Sequence, residues 1–152
     1  MTRAEKAEKY FYEGYACSQA VCLAFVDLTS VSFEEMSKLS LPLGGGLARL
    51  RTTCGAISGM ALIIGLLFSD SAPSEGNKLA IYERVRILTE RFIVLRKTIN
   101  CKELLELAAL EVEVGGVPEE RTVEYYKKRP CGKIVYLAAK ILEEYLKENN
   151  IE

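Results

Sequence analysis

The sequence predicts an all-α fold, an up-and-down bundle of about seven or eight helices, and three observations predict it. Apolar residues recur at three- and four-residue spacing through nearly every segment. No stretch shows the alternation of a half-buried strand. The periodic segments are set off by capping residues, glycine or proline. With 152 residues and 49% hydrophobic content, the chain can build one ordinary core and is short for two. A single domain spanning 1–152 is expected.

The first helix is predicted over 3–13, with Thr2 as cap, Glu5 completing a capping box and Gly14 as stop. A second starts near Cys17 and turns Ala20, Val21, Ala24, Phe25 and Leu28 inward. Ser32 and Glu35 mark a short helix over 33–40, ended by Pro42. LPLGGGLARLR, 41–51, is the glycine-rich loop, suited to a lid or a backbone lining beside Cys54. A helix capped by Thr53 follows to Phe68, and SDSAPSEGN is a polar connector. The long amphipathic segment 78–99 places Leu79, Tyr82, Val85, Leu88, Phe92 and Leu95 on its core face. Asn100 caps a helix from Cys101 to about Val112, a short one covers 119–128, and Pro130 opens the last, 131–148.

Charge and composition exclude several function classes. Twenty basic against 21 acidic residues give a formal charge of -1, with none of the cationic excess that nucleic acid or an anionic membrane surface demands. The apolar run 56–68 is well short of the roughly 20 residues of a bilayer span. MTRAEKAEKY carries no apolar leader, so a cytoplasmic location is expected. The absence of histidine removes histidine-liganded zinc, histidine-based triads and c-type haem attachment.

Five cysteines, at 17, 22, 54, 101 and 131, are odd in number and few for a disulfide scaffold. Cys17, Cys54, Cys101 and Cys131 each fall in a first helical turn, after Gly14, Thr53, Asn100 and Pro130 respectively. There the free N–H groups and the dipole end favour a thiolate, and Arg51, Lys102, Arg129 and Lys133 push the same way. Each of these helices is preceded by a returning one, so short connections would bring the four N-termini to one end of the bundle. Four converging thiolates without histidine suit an iron-sulfur cluster, or a zinc or iron ion in an all-thiolate site.

The separations of 36, 46 and 29 intervening residues are unlike the local C-x2-C clusters of ferredoxins and zinc fingers. Buried cysteines acting as small apolar residues are the plain alternative. Cys22, five residues past Cys17, points roughly 140° away around the helix and reads as core. Gly55 and Gly59 lie one turn apart on one face, where each costs about 1 kcal/mol against alanine. Something must approach that face closely, either another helix backbone or a cluster or ligand beside Cys54.

GYACSQAV (14–21), GGGLARLRTTCGAISG (44–59), INCKELL (99–105) and RPCGKIV (129–135) together resemble the redox-active family labelled C_GCAxxG_C_C for its cysteine pattern. The resemblance covers nearly the whole chain and implies a helical domain in which Cys17, Cys54, Cys101 and Cys131 are the functional sulfurs. The domain type is also similar to the iron-sulfur part of split-Soret cytochromes, which are dimeric and carry haem on a cysteine-histidine segment missing here. Haem is therefore not expected. Cys22 departs from the pattern.

The leading expectation is a small redox protein whose Cys17, Cys54, Cys101 and Cys131 hold a two-iron cluster, with Gly55 and Gly59 giving backbone amides access to the sulfurs. Its partner would be an oxidoreductase or a transporter-linked redox protein, and a homodimer would allow sites at the interface between two chains. Three alternatives stand beside it: thiol-disulfide chemistry on cysteine pairs assembled by the fold, a thiolate carrier of zinc, iron or copper, and an interaction module with inert core cysteines.

Overall fold

The computed structural model describes residues 1–152. It contains eight helices and one four-residue turn: α1 (Arg3–Tyr12), α2 (Cys17–Leu23), α3 (Phe33–Ser40), the turn α4 (Gly44–Leu47), α5 (Gly55–Phe68), α6 (Glu75–Arg96), α7 (Cys101–Leu107), α8 (Val123–Lys128) and α9 (Cys131–Glu148). The only β-type pairing is a single antiparallel bridge between Thr53 and Asn100. No helix is long and apolar enough to cross a membrane.

Side-chain caps explain most of the starts, and those at Thr2, Ser32 and Asn100 are legible in the sequence. Thr2 accepts from the Glu5 amide at 3.1 Å while the Glu5 carboxylate accepts from the Thr2 amide at 2.8 Å, closing the capping box. Ser32, Ser74, Asn100 and Thr122 cap α3, α6, α7 and α8 in the same way, each accepting from the amide three residues on.

Where the boundaries differ, the reason is local. Thr53 is drawn into the bridge with Asn100, so Cys54 becomes the cap of α5 and the helix begins at Gly55. Ser74 starts α6 three residues before the expected Lys78, and Lys97, left-handed at φ 72°, ends it at Arg96. α7 stops at Leu107 because Ala109 turns left-handed and the Leu110 amide bonds back to Leu105 O at 3.2 Å.

α2, α5 and α9 make the centre: α5 packs against both of the others, α1 lies along α9 and α2, and α3 and α6 flank the group. α5 is apolar nearly all round, as a central helix should be, and buries Ala56, Ile57, Met60, Ile63 and Ile64. α9 contributes Ile134, Val135, Ala138, Leu142 and Leu146. The buried polar residues Ser18, Gln19, Ser40 and Arg51 all have hydrogen-bond partners. Ser18 Oγ donates to Ser40 O at 2.6 Å and Gln19 Nε2 to Ser37 O at 2.8 Å, which fastens α3 onto α2.

α6 departs from its predicted face. Leu88 and Phe92 are buried, but Leu79, Tyr82 and Leu95 are 56%, 59% and 61% exposed. The packed strip is rotated toward Arg84 and Arg91, whose guanidinium groups lie over the Phe68 and Tyr145 rings at 3.8 and 5.5 Å. Cation-π seams replace the expected leucine contacts, and the hydrocarbon stems of the arginines cover the joint. Phe92→Ala should therefore cost about 3–5 kcal/mol in urea unfolding, whereas Leu95→Ala should stay within about 0.5 kcal/mol of the parent. A large loss at Leu95 would restore the face read from the sequence.

Candidate functional site

The segments that lead into α5 and α7 are tied side by side. The Cys54 amide donates to Ile99 O at 2.7 Å, and the Cys101 amide donates to Thr52 O at 2.6 Å. Each cysteine thus spends its own N–H on the strand-like segment that carries the other, which sets the two cysteines next to each other. Cys17 and Cys131 open α2 and α9 at the first helical position. All four line one cavity of ≈ 70 Å³. A water needs about 10–15 Å³ of such space, so the cavity has room for a group of several atoms.

Two glycines fix how close the walls come. A Cβ on Gly55 would lie 2.4 Å from the Cys17 sulfur and 3.2 Å from the Ser18 amide. On Gly59 it would meet Ser18 O at 3.0 Å and the Val21 side chain at 3.2 Å. The face expected to meet either a backbone or a ligand therefore meets the backbone of α2. Neither glycine lies on the cavity wall; they act by letting α2 and its Cys17 approach α5.

The glycine-rich segment is a fixed left-handed turn rather than a lid. Gly45, Gly46, Leu47, Ala48 and Arg49 all have φ between 47° and 70°, and Arg51 follows at 61°. For non-glycine residues this costs roughly 1–2 kcal/mol each. Hydrogen bonds from Arg51 N to Gly45 O at 3.1 Å, Thr52 N to Gly46 O at 2.8 Å and Thr52 Oγ1 to Gly46 O at 2.7 Å oppose that strain. The turn puts Gly46 where a Cβ would sit 2.5 Å from Cys101 Cβ, and the Gly45 amide faces the Cys17 sulfur.

Three arginines share the cavity wall with the sulfurs: Arg51, Arg121 and Arg129. Arg51 is only 7% exposed and donates from Nη1 to the Cys101 sulfur at 3.7 Å and from Nε to Glu113 O at 3.0 Å. Arg121 donates to Phe11 O and Tyr15 O at 3.1 and 3.2 Å and lies 4.4 Å from the Phe11 ring centre. Arg129 pairs with Glu119 and stacks on Tyr125. No carboxylate reaches the cavity, and Phe11, Leu104, Leu105, Tyr125 and Ile134 complete it. Arg51 and Arg129 were among the cations singled out in the sequence. Arg121 carries no sequence signal, while Lys102 and Lys133 point to solvent.

The electrostatics correct one expectation. Burial pushes the Cys17, Cys54 and Cys131 thiols up, Cys131 to about 12, against the amides of Gly45, Ser18 and Ala56 and the charges of Arg121 and Arg129. Desolvation outweighs the helix terminus, so these groups rest as thiols, not thiolates. The thiols also raise one another, Cys54 feeling Cys17, Cys131 and Cys101. As the side chains stand, no three of them are close enough together to hold a metal ion. Cys22 is fully buried away from the cavity, donates to Gly59 O at 3.5 Å and is pushed up to about 12 by burial.

Fold and cavity together define a class, a small all-helical protein whose four dispersed cysteines and three arginines enclose one pocket. The chain belongs to the family described as Putative redox-active protein (C_GCAxxG_C_C), which matches residues 15–145 and so takes in every cysteine. No curated protein and no solved structure matches it.

Two outcomes follow from this geometry. Gly46→Ala should destabilise by more than about 1 kcal/mol, because its φ of 67° and its backbone neighbours leave no place for a methyl. Gly65→Ala, in α5 with nothing within 4 Å, should stabilise by up to about 1 kcal/mol. Thermal unfolding of both variants checks the pair. The Cys22 thiol, at about 12 when folded against 9.0 for a free thiol, gives a pH signature. Because the unfolded chain loses that proton first, stability is full below pH 9 and falls as pH rises toward 12. Cys22→Ala should lessen the fall in metal-free protein, measured by denaturant titration at pH 8 and above.

Proposed function

We propose that Cys17, Cys54, Cys101 and Cys131 hold an iron-sulfur cluster, a two-iron one, and that the protein carries electrons to or from an oxidoreductase in the cytoplasm. The observation that carries this reading is that one small cavity gathers these four sulfurs and three guanidinium groups without a carboxylate. The donor set fits: four soft sulfur ligands and no histidine suit a cluster or a thiolate-held ion.

A bound cluster would supply one-electron storage. The rest falls to the chain. Arg51, Arg121 and Arg129 would offset the negative charge of the ligated sulfurs. The amides of Gly45, Ser18 and Ala56, which already face the Cys17 and Cys54 sulfurs, would raise the potential by stabilising the more negative form. Leu104, Leu105 and Ile134 would limit access of water. Since Cys17, Cys54 and Cys131 are held as thiols, loading must release protons.

Protein purified without oxygen should carry iron matched by acid-labile sulfide and show broad visible absorption. Cys54→Ser should lose that iron while circular dichroism stays helical. Stoichiometric iron retained in the serine variant would overturn the assignment.

A further inference from the structure

A second, wider cleft of ≈ 510 Å³ adjoins the sulfur cavity and shares Arg51, Arg121 and Arg129 with it. Its wall adds Arg49 from the left-handed turn, and Glu119 is its only carboxylate. Four guanidinium groups meet two carboxylates, Glu119 paired with Arg129 and Glu113 3.7 Å from Arg49, in a chain whose net charge is -1. That local excess is not a property of the surface as a whole.

The donors divide unevenly. Arg121 spends both terminal nitrogens on Phe11 O and Tyr15 O, and Arg129 is paired with Glu119. Arg49 is different. Its side chain is 11% exposed and its Nε donates to Gly115 O at 2.9 Å. Its Nη2 is buried without a hydrogen-bond partner, the nearest carboxylate oxygen being that of Glu113 at 3.7 Å. Arg51 also keeps donors beyond those given to Glu113 O and the Cys101 sulfur. The Arg49 Nη2 nitrogen is closed off from solvent, so the donors within reach of an anion in the cleft are the remaining terminal nitrogens of Arg49 and Arg51.

We propose that this cleft binds a small organic oxyanion, a molecule bearing carboxylate or phosphate, with Arg49 and Arg51 as its principal donors. The volume falls in the range of small-molecule sites, and guanidinium groups match both anions with paired hydrogen bonds. Tyr125, Pro118 and Leu41 supply an apolar side for the rest of the ligand. Because the cleft opens beside the sulfur cavity, the ligand would sit next to the redox site. Arg51 is shared with the sulfur cavity, but Arg49 is not, so an anion held by Arg49 does not require that the sulfurs hold a cluster.

Calorimetric titration of the protein as purified, at low salt, with sodium phosphate and separately with sodium citrate tests it. Saturable binding of at least one is expected, and which one binds identifies the anion chemistry. Arg49→Gln should weaken it at least ~10-fold. Arg49 also holds Gly115, so Ala48→Glu provides the second variant: on the exposed wall, it sets a competing carboxylate in the cleft and removes no arginine donor. It too should weaken binding at least ~10-fold. Absence of saturation with both anions, or unchanged affinity in Ala48→Glu, overturns the proposal. Iron content, read on the same samples, should be equal in all three proteins, which keeps failure of the cleft separate from failure of the cluster.

Discussion

The close approach of α5 to α2 is the constraint on which the site depends. Gly55 meets the Cys17 sulfur at a distance no side chain would allow, and Gly59 meets the Ser18 carbonyl so closely that a methyl would force the backbone to give. Gly59, inside a buried helix, costs about 1 kcal/mol in intrinsic preference, while Gly55 stands at the first helical position, where the penalty is smaller. The contact they make possible brings the start of α2 against the start of α5. Without it Cys17 would be held off from Cys54 by at least the width of a methyl group, and the cavity would lose one of its corners.

The other corners are set by backbone rather than by packing. Paired amide bonds between the segments before α5 and α7 place Cys54 beside Cys101, and the left-handed turn at 45–49 passes beneath both Cys17 and Cys101. That turn stores strain in Leu47, Ala48, Arg49 and Arg51. It also hangs the segment after α7 on the same frame, with Gly115 exchanging hydrogen bonds with Arg49 and Glu113 O receiving Arg51. Arginine here is structural hardware and local charge at once. Its stems and donors hold loops in place while the guanidinium groups make the surroundings of the sulfurs positive.

Much of the helix plan was legible, because caps are short-range chemistry: Thr2 with Glu5, Ser32 with Glu35 and Asn100 with Glu103 each act within one turn. The errors arose where a distant partner decides. Thr53 reads as a cap until Asn100, 47 residues on, takes its backbone into a bridge. The strip of α6 reads as leucines until Phe68 and Tyr145 offer rings to Arg84 and Arg91. The cysteines could be singled out from their places at helix starts, and Arg121 could not, since only the fold brings it to Phe11 and Tyr15.

The state of the sulfurs shows two local rules in competition. A helix N-terminus is worth about 0.3–1 kcal/mol to an anion, less than one tenfold step in proton affinity. Burial takes the Cys131 thiol from 9.0 to about 12 even with Arg129 and Arg121 acting the other way. The chain therefore sets the Cys17, Cys54 and Cys131 thiols beside cationic guanidinium groups. On the reading proposed above, ligation would turn each thiol into an anion, and Arg51, Arg121 and Arg129 would then face charge of the opposite sign. The desolvation that disfavours the thiolate at Cys17, Cys54 and Cys131 is what would strengthen each guanidinium-sulfur contact once the sulfurs are charged. The same wall thus disfavours the thiolate alone and favours the thiolate in company.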